Sequence, residues 1–375
     1  MKLLGHRAGI RPDGCYFDGM RSPTLLRIAP LLACSLLRAQ APLVNPLLPS
    51  GADPWVIAHG DFYYYMNTTG NSLAIRQVRN MADLGKSEAK VVWRPPATGP
   101  YSREIWAPEL HFLRGKWYIY FAADAGANAS HRIWVVENDS PDPRDGEWRM
   151  RGKVSDPTDR WAIDATVFEQ GNRLYMIWSG WEGEGNGEQN LYIAELSDPW
   201  TVKGARVKLS TPEFPWEKVG DLKPRRDPEE NPGASPMDPL HVDVNEGPEI
   251  LRHGNRIFVV YSAAGCWTDN YSLGMLSAAA DSDLLSPASW KKSGLPVFWQ
   301  SPKAGAFGPG HGSFFQSPDG KENWMLYHAN PEAGQGCGRQ RSPRAQRFTW
   351  KSDGTPDFGR PAVIGAEMAR PGGLE

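Results

Sequence analysis

The 375-residue chain is short of several things at once. It has only four cysteines, and two of them, Cys15 and Cys34, stand near its start. The remaining pair, Cys266 and Cys337, is too few for a disulfide framework. In an exported protein the two could bridge; the alternative is a pair of buried free thiols. There is no surplus charge of either sign: 41 Lys and Arg face 43 Asp and Glu, a net charge of −2. A polyanion such as nucleic acid is therefore a poor partner. Beyond the N-terminal region no apolar run approaches the ~20 residues that cross a bilayer as a helix. No His/Cys cluster has zinc spacing. No glycine-rich loop follows a strand and opens a helix, so nucleotide cofactors are not expected.

Turn formers and aromatics are abundant. The 39 Gly and 33 Pro are too many for a helix bundle and lack the collagen period. Sixteen Trp suit a packed β-core or a sugar-binding cleft, and 40% hydrophobic residues suffice for a core rather than a disordered chain.

Residues 1–41 read as a leader. Arg21 and Arg27 supply positive charge, Ile28 to Leu37 is mostly apolar, and Ala39-Gln40-Ala41 fits a small-residue cleavage site. Met20 is a second candidate start. Two other readings stand beside a secretory signal: a disordered tail, and a lipoprotein box in which Cys34 carries a lipid anchor.

A repeat runs through the body, about residues 45–370, and is sought before secondary structure. It reads DPWVIAHGDFYYYMN from Asp53, PELHFLRGKWYIYFAA from Pro108, DATVFEQGNRLYMIWSG from Asp164, EGPEILRHGNRIFVVYSAAG from Glu246 and GHGSFFQSPDGKENWMLYHAN from Gly310. Each is two strands about a glycine-containing turn, followed by a third strand such as SLAIRQV or RIWVVEN. The polar, Pro-rich stretch 214–243 reads as a surface loop. Hairpins that cannot bury both faces alone are stabilised by radial stacking, which also removes exposed edges. The expected fold is all-β, a single five-bladed β-propeller over 42–370, with a β-sandwich as the alternative.

In such a ring the residues that open the inner strands converge at one end of the axis. The repeat phase selects Asp53, Glu109, Asp164, Glu246 and His311. Singly, each has an ordinary reading as a turn opener, a cap or a surface charge. Together, several carboxyl groups at one opening suit glycoside cleavage. One carboxyl must be protonated to release the leaving oxygen, and another ionised to activate water. A separation of roughly 6.5–9.5 Å leaves room for that water and inverts the anomeric carbon. A carbohydrate-binding propeller without catalysis is the competing reading.

These residues carry a resemblance. GADPWV (51–56), IWAPELHF (105–112), WAIDATVF (161–168), WSGWEGEGNGEQNLYIA (178–194), VNEGPEI (244–250), SAAGCWTDNYSLGM (262–275), GPGHGSFF (308–315) and RSPRAQRFTW (341–350) resemble, in order, the motifs of glycoside hydrolase family 43. The resemblance implies five-bladed propellers acting on arabinofuranosides and xylosides, and the wording is most similar to secreted exo-acting α-L-arabinofuranosidases. A β-xylosidase or an exo-galactanase with the same triad is also open. The implied roles are Asp53 as general base, Glu246 as general acid, and Asp164 as the carboxylate that tunes and orients the acid. Glu249 is set aside as the acid because strand alternation would turn it away from the face of Glu246. His311 corresponds to an axial histidine beside a calcium ion or water, and Arg344 to an arginine brought to the pocket by the last blade. Trp106 and Trp181 are candidates for stacking on a sugar ring, with core packing the alternative for each. The implied partner is a plant cell-wall polysaccharide or oligosaccharide, met outside the cell by a monomer needing no cofactor, calcium being the one candidate ion. Sequons stand at Asn67, Asn128, Asn138 and Asn270.

Overall fold

Five four-stranded antiparallel units follow one another along the chain, the third and fourth joined into one sheet by a short parallel pairing of Glu188–Gln189 with Asp243–Val244. The computed structural model describes residue 19 and residues 41–222 and 240–373. The leader reading, with Met20 and Cys34, and the middle of the Pro-rich loop lie outside the described residues. Unit one comprises Trp55–His59, Phe62–Met66, Leu73–Val78 and Lys90–Trp93. Unit two comprises Arg103–Leu113, Lys116–Asp124, Arg132–Asn138 and Arg149–Val154. Unit three comprises Ala162–Gln170, Arg173–Trp181, Glu188–Asp198 and Thr201–Ser210. Unit four comprises Asp243–His253, Arg256–Ala263, Ser272–Ala279 and Lys291–Lys292. Unit five comprises Phe307–Gln316, Asn323–Asn330, Ser342–Trp350 and Pro356–Asp357.

Composition along each unit follows from what covers it. The second strand of unit two, KWYIYFAAD, is buried at nearly every position, as expected of a strand covered on both faces. Its fourth strand, RMRGKV, is largely exposed and carries Arg and Lys, which protect an edge from pairing with another chain. The apolar cores lie between units. One joins Tyr64 and Leu73 to Ile119 and Phe121, another Tyr120 and Val135 to Met176 and Trp178. A third joins Ile177 and Ile193 to Val259 and Tyr261, and a fourth Phe258 and Leu273 to Met325 and Tyr327. The fifth packs Phe315 and Trp324 against Tyr63 and Tyr65 and so returns to unit one. The five interfaces form a closed cycle. Leu43–Val44 pairs with Glu367–Met368, and the Asn45 side chain exchanges two hydrogen bonds with the Ala345 backbone, tying the start of the described body to its end.

Near the start of each inner strand the backbone departs from regular pairing. In units two to five, two residues oppose one within the stretches Trp106 to Glu109, Ile163 to Thr166, Glu246 to Glu249, and Gly310 to Ser313. These are β-bulges. The residue inside each bulge has a left-handed φ: Ala107 at 42°, Asp164 at 56°, Gly247 at 52° and His311 at 49°, matched in unit one by Asp53 at 57°. The bulge corrects two expectations. The ring at the opening is Asp53, Ala107, Asp164, Gly247 and His311; Glu109 belongs two residues deeper, with Trp55, Thr166, Glu249 and Ser313. Glu246 and Glu249 lie opposite Ser262 and Val260, so they share a face of the sheet rather than alternate across it.

Candidate active site

Asp53 is held from several sides. Its backbone N–H donates to His328 Nδ1 at 3.1 Å. The Thr68 hydroxyl donates to its Oδ2 at 2.6 Å and accepts the Ala107 N–H at 2.7 Å, linking units one and two. The Arg341 guanidinium lies 3.3 Å from its Oδ1. Burial alone would raise the Asp53 pKa, but opposing charges and the Thr68 bond hold the carboxyl well below the ordinary carboxylate range. His311 and His328 are themselves kept below the usual imidazole value by burial. The opposing charges on Asp53 are His311 first, then Arg341 and His328, and the Thr68 bond adds to them.

His311 Nδ1 sits 3.4 Å from Asp53 and 4.0 Å from Asp164, so the two carboxylates are neighbours across one imidazole. Asp164 Oδ2 accepts the Gly247 N–H at 3.0 Å, which brings unit four's bulge onto unit three's. Glu246 Oε1 accepts the Tyr271 hydroxyl at 2.8 Å. Burial first, then the Asp53 charge, push the Glu246 carboxyl up to about 7 against the lowering by Tyr271 and Arg341. Asp164 is raised by burial and by Glu246 and Asp53. Asp164 and Glu246 thus titrate as a pair that keeps a proton beyond the ordinary carboxyl range. The site holds one carboxylate fixed as an anion and another kept protonated near neutrality, the division that acid–base cleavage of an acetal requires.

Asp53, Asp164, Glu246 and His311, expected from sequence, come together. Arg344 does not join them. It pairs with Tyr327 inside the fifth sheet, is fully buried, and donates to the Ala329 carbonyl at 3.4 Å. The arginine on the base is Arg341, three residues earlier, where the chain has not yet entered the strand. Trp106 is half-buried at the rim beside Ala107 and stacks on His131 at 4.0 Å. Trp181 is buried against Trp161 at 4.9 Å and packs as core. Sequence reasoning assigned no role to Thr68, Tyr271, His328 or Arg341. Tyr271 and Arg341 stand inside motifs already singled out, while Thr68 was read only as part of the Asn67 sequon. The Asn138 sequon is not presentable, because that side chain is buried and donates to the Asp145 carbonyl.

Below the ring, a narrow cleft reaches from Asp53 and His311 down to Glu109. Larger surface cavities, such as one of about 570 Å³ lined by Trp324 and Arg347, contain none of these groups, so size does not select the site. His311 and its neighbours do not by themselves supply the oxygen shell of an axial calcium. Such an ion takes six to eight oxygens, and among the described residues no three His, Cys, Asp or Glu are disposed to hold a metal.

Asp53, Asp164 and Glu246 gathered about His311 suit a glycoside hydrolase, and comparison with known proteins shows the family. Residues 43–356 match the family model described as Glycosyl hydrolases family 43, and the chain belongs to that family. It is 36% identical over 335 residues to the extracellular exo-alpha-(1->5)-L-arabinofuranosidase of Streptomyces avermitilis, covering 87% of this chain and 65% of that protein. The protein of the same description from Streptomyces chartreusis is 37% identical, covering 77% of this chain and 83% of that one. The solved structure of an alpha-L-arabinofuranosidase from Lactobacillus brevis superposes with a TM-score of 0.77 at 36% identity, covering 87% of this chain and 98% of that chain.

Proposed function

We propose that the chain is an inverting exo-acting α-L-arabinofuranosidase built as a five-bladed β-propeller. The closed cycle of interfaces supports the propeller, each unit being a blade. The observation that carries the chemistry is the gathering of three carboxyls, with Asp53 held by Thr68 and Arg341, Asp164 by the Gly247 N–H and Glu246 by Tyr271; their surroundings lower Asp53 and raise Glu246. The similarity to the two Streptomyces enzymes and the Lactobacillus structure favours arabinofuranosides over xylosides or galactans. Asp53 takes a proton from a water molecule, whose oxygen attacks the anomeric carbon. Glu246 gives its proton to the departing glycosidic oxygen on the other face. Asp164, tied to the Gly247 N–H, keeps the acid's proton and position. Trp106 offers a face to the sugar. Plant cell-wall arabinan or arabinoxylan fits this chemistry. Action outside the cell fits both the relatives' printed descriptions and the bridged cysteines described below, since disulfides persist in oxidising compartments.

A panel of aryl pentosides tests the substrate class. The arabinofuranoside should be cleaved fastest; a faster rate on the β-xyloside would replace the assignment. Asp53→Asn and Glu246→Gln should each lower kcat on a natural oligosaccharide by at least ~10³-fold with the fold intact. Near-normal turnover by Asp53→Asn would remove it as the base.

A further inference from the structure

Two loops reach the site from neighbouring units, and a covalent bond joins them. The first, residues 264–271, follows the second strand of unit four and ends at Tyr271, whose hydroxyl bonds the acid Glu246. The second, residues 331–341, connects the middle strands of unit five and ends at Arg341, whose guanidinium meets the base Asp53. Cys266 and Cys337 are paired in a disulfide between them.

The bridge is reinforced at several points. Arg341 Nη2 donates to the carbonyl of Cys337 at 3.0 Å, so one half-cystine holds the guanidinium directly. The Asp269 carboxylate accepts the Gly334 N–H at 2.9 Å, a second tie between the loops, and the Asp269 carbonyl accepts the Gly308 N–H at 3.1 Å. Tyr271 stacks on His328, the residue that accepts the Asp53 N–H. Arg341 Nε has no partner among the described residues, and its side chain is only 15% exposed. Little besides Asp53 and the Cys337 carbonyl therefore fixes its position.

We propose that the Cys266–Cys337 bridge is a positioning element of the catalytic centre, clamping Tyr271 to the acid and Arg341 to the base so that both are set together only while it is closed. The inference rests on the roles given above to Asp53 and Glu246. Asp53 is also faced by His311, His328, Asp164 and Glu246, and Glu246 by Asp164; Tyr65 and Tyr271 complete the surroundings, and none of these is cationic at neutral pH apart from Arg341. Arg341 lowers both carboxyls, and the Tyr271 hydroxyl lowers Glu246. Loosening the loops therefore moves both titrations to higher pH.

The test is the pH dependence of kcat/KM for Cys266→Ser/Cys337→Ser and Arg341→Ala, singly and combined, with Arg341→Lys as the conservative variant. Dithiothreitol on the wild type reaches the same state: it passes two electrons and two protons to the bridge, leaving two thiols and its own cyclic disulfide. Circular dichroism establishes that each form is folded. The expected result is that the alkaline limb of the profile, set by Glu246, shifts upward by about half a pH unit or more, in the cysteine variant as in Arg341→Ala. Arg341→Lys, which keeps the charge, shifts less, and the combined variant adds little to either parent. A folded cysteine variant with the wild-type profile and kcat, only less heat-stable, would overturn the proposal and leave the bridge a staple. Retained turnover in Asp53→Asn would instead fail the underlying roles, so the two failures are distinguishable. Should the cysteine variant not fold, reduction of the folded wild type supplies the same readout.

Discussion

Asp53, Asp164 and His311 each occupy a backbone conformation that costs a non-glycine residue roughly 1–2 kcal/mol. Asp and His tolerate it better than most residues, and here the three side chains meet, His311 Nδ1 lying 3.4 Å from Asp53 and 4.0 Å from Asp164. The buried carboxyls of the site divide by their partners. Glu217 is also buried, yet Lys292, Tyr261, Asn245 and two backbone N–H groups satisfy it, and it stays below the ordinary carboxylate value despite burial. Glu249, with Oε2 lacking a partner among the described residues, is raised well above it by burial. The folded state thus retains a proton on Glu249 that the unfolded chain releases near 4.5, and stability on this account falls as pH rises from there through the raised value. Glu249→Gln should therefore gain on the wild type in Tm as pH rises above about 4.5; an unchanged gap would mean that Glu249 is charged in the fold. For activity, Asp53 must be ionised and Glu246 protonated. The rate should hold far into acid, as far as the fold survives, and fall on the alkaline side with an apparent pKa about 7. A profile of kcat/KM checks this, and full activity well above that value would exclude Glu246 as the acid.

At the scale of the element, the bulge decides function. Gly247 illustrates how tightly the inner strands meet: a Cβ there would stand 3.0 Å from His311 Nδ1, and its φ of 52° disfavours any side chain. Gly247→Ala should push His311 off the two aspartates, lowering kcat about 10–100-fold and costing about 1–2 kcal/mol of stability. An unaffected kcat would show that His311 has no positioning role. The same bulges limited what could be read from sequence. The five hairpins and the convergence of Asp53, Asp164, Glu246 and His311 were legible because strand pattern and turn residues recur. The repeat phase, however, placed Glu109 at the opening and strict alternation turned Glu249 away, since an extra residue in a ladder leaves no mark on either count. Arg344 was expected from the motif resemblance alone and Arg341 was assigned nothing; which of the two meets the base depends on where the strand begins.

At the scale of the molecule, the inner strands of five separate units bring together residues more than two hundred positions apart, and the cycle of apolar interfaces holds them there. The Cys266–Cys337 bridge spans 71 residues of chain between units four and five. Its removal should cost about 2–4 kcal/mol by freeing the unfolded chain, readable as a lower Tm in scans with and without reductant; an unchanged Tm would mean that the bridge constrains neither state. The proposed roles also fix the stereochemistry, because a base that activates water and an acid that protonates the leaving oxygen address opposite faces of the sugar. Proton NMR of the first sugar released from an aryl α-L-arabinofuranoside tests this most directly. The account predicts that β-arabinofuranose appears first and then mutarotates; initial release of the α-anomer would contradict it.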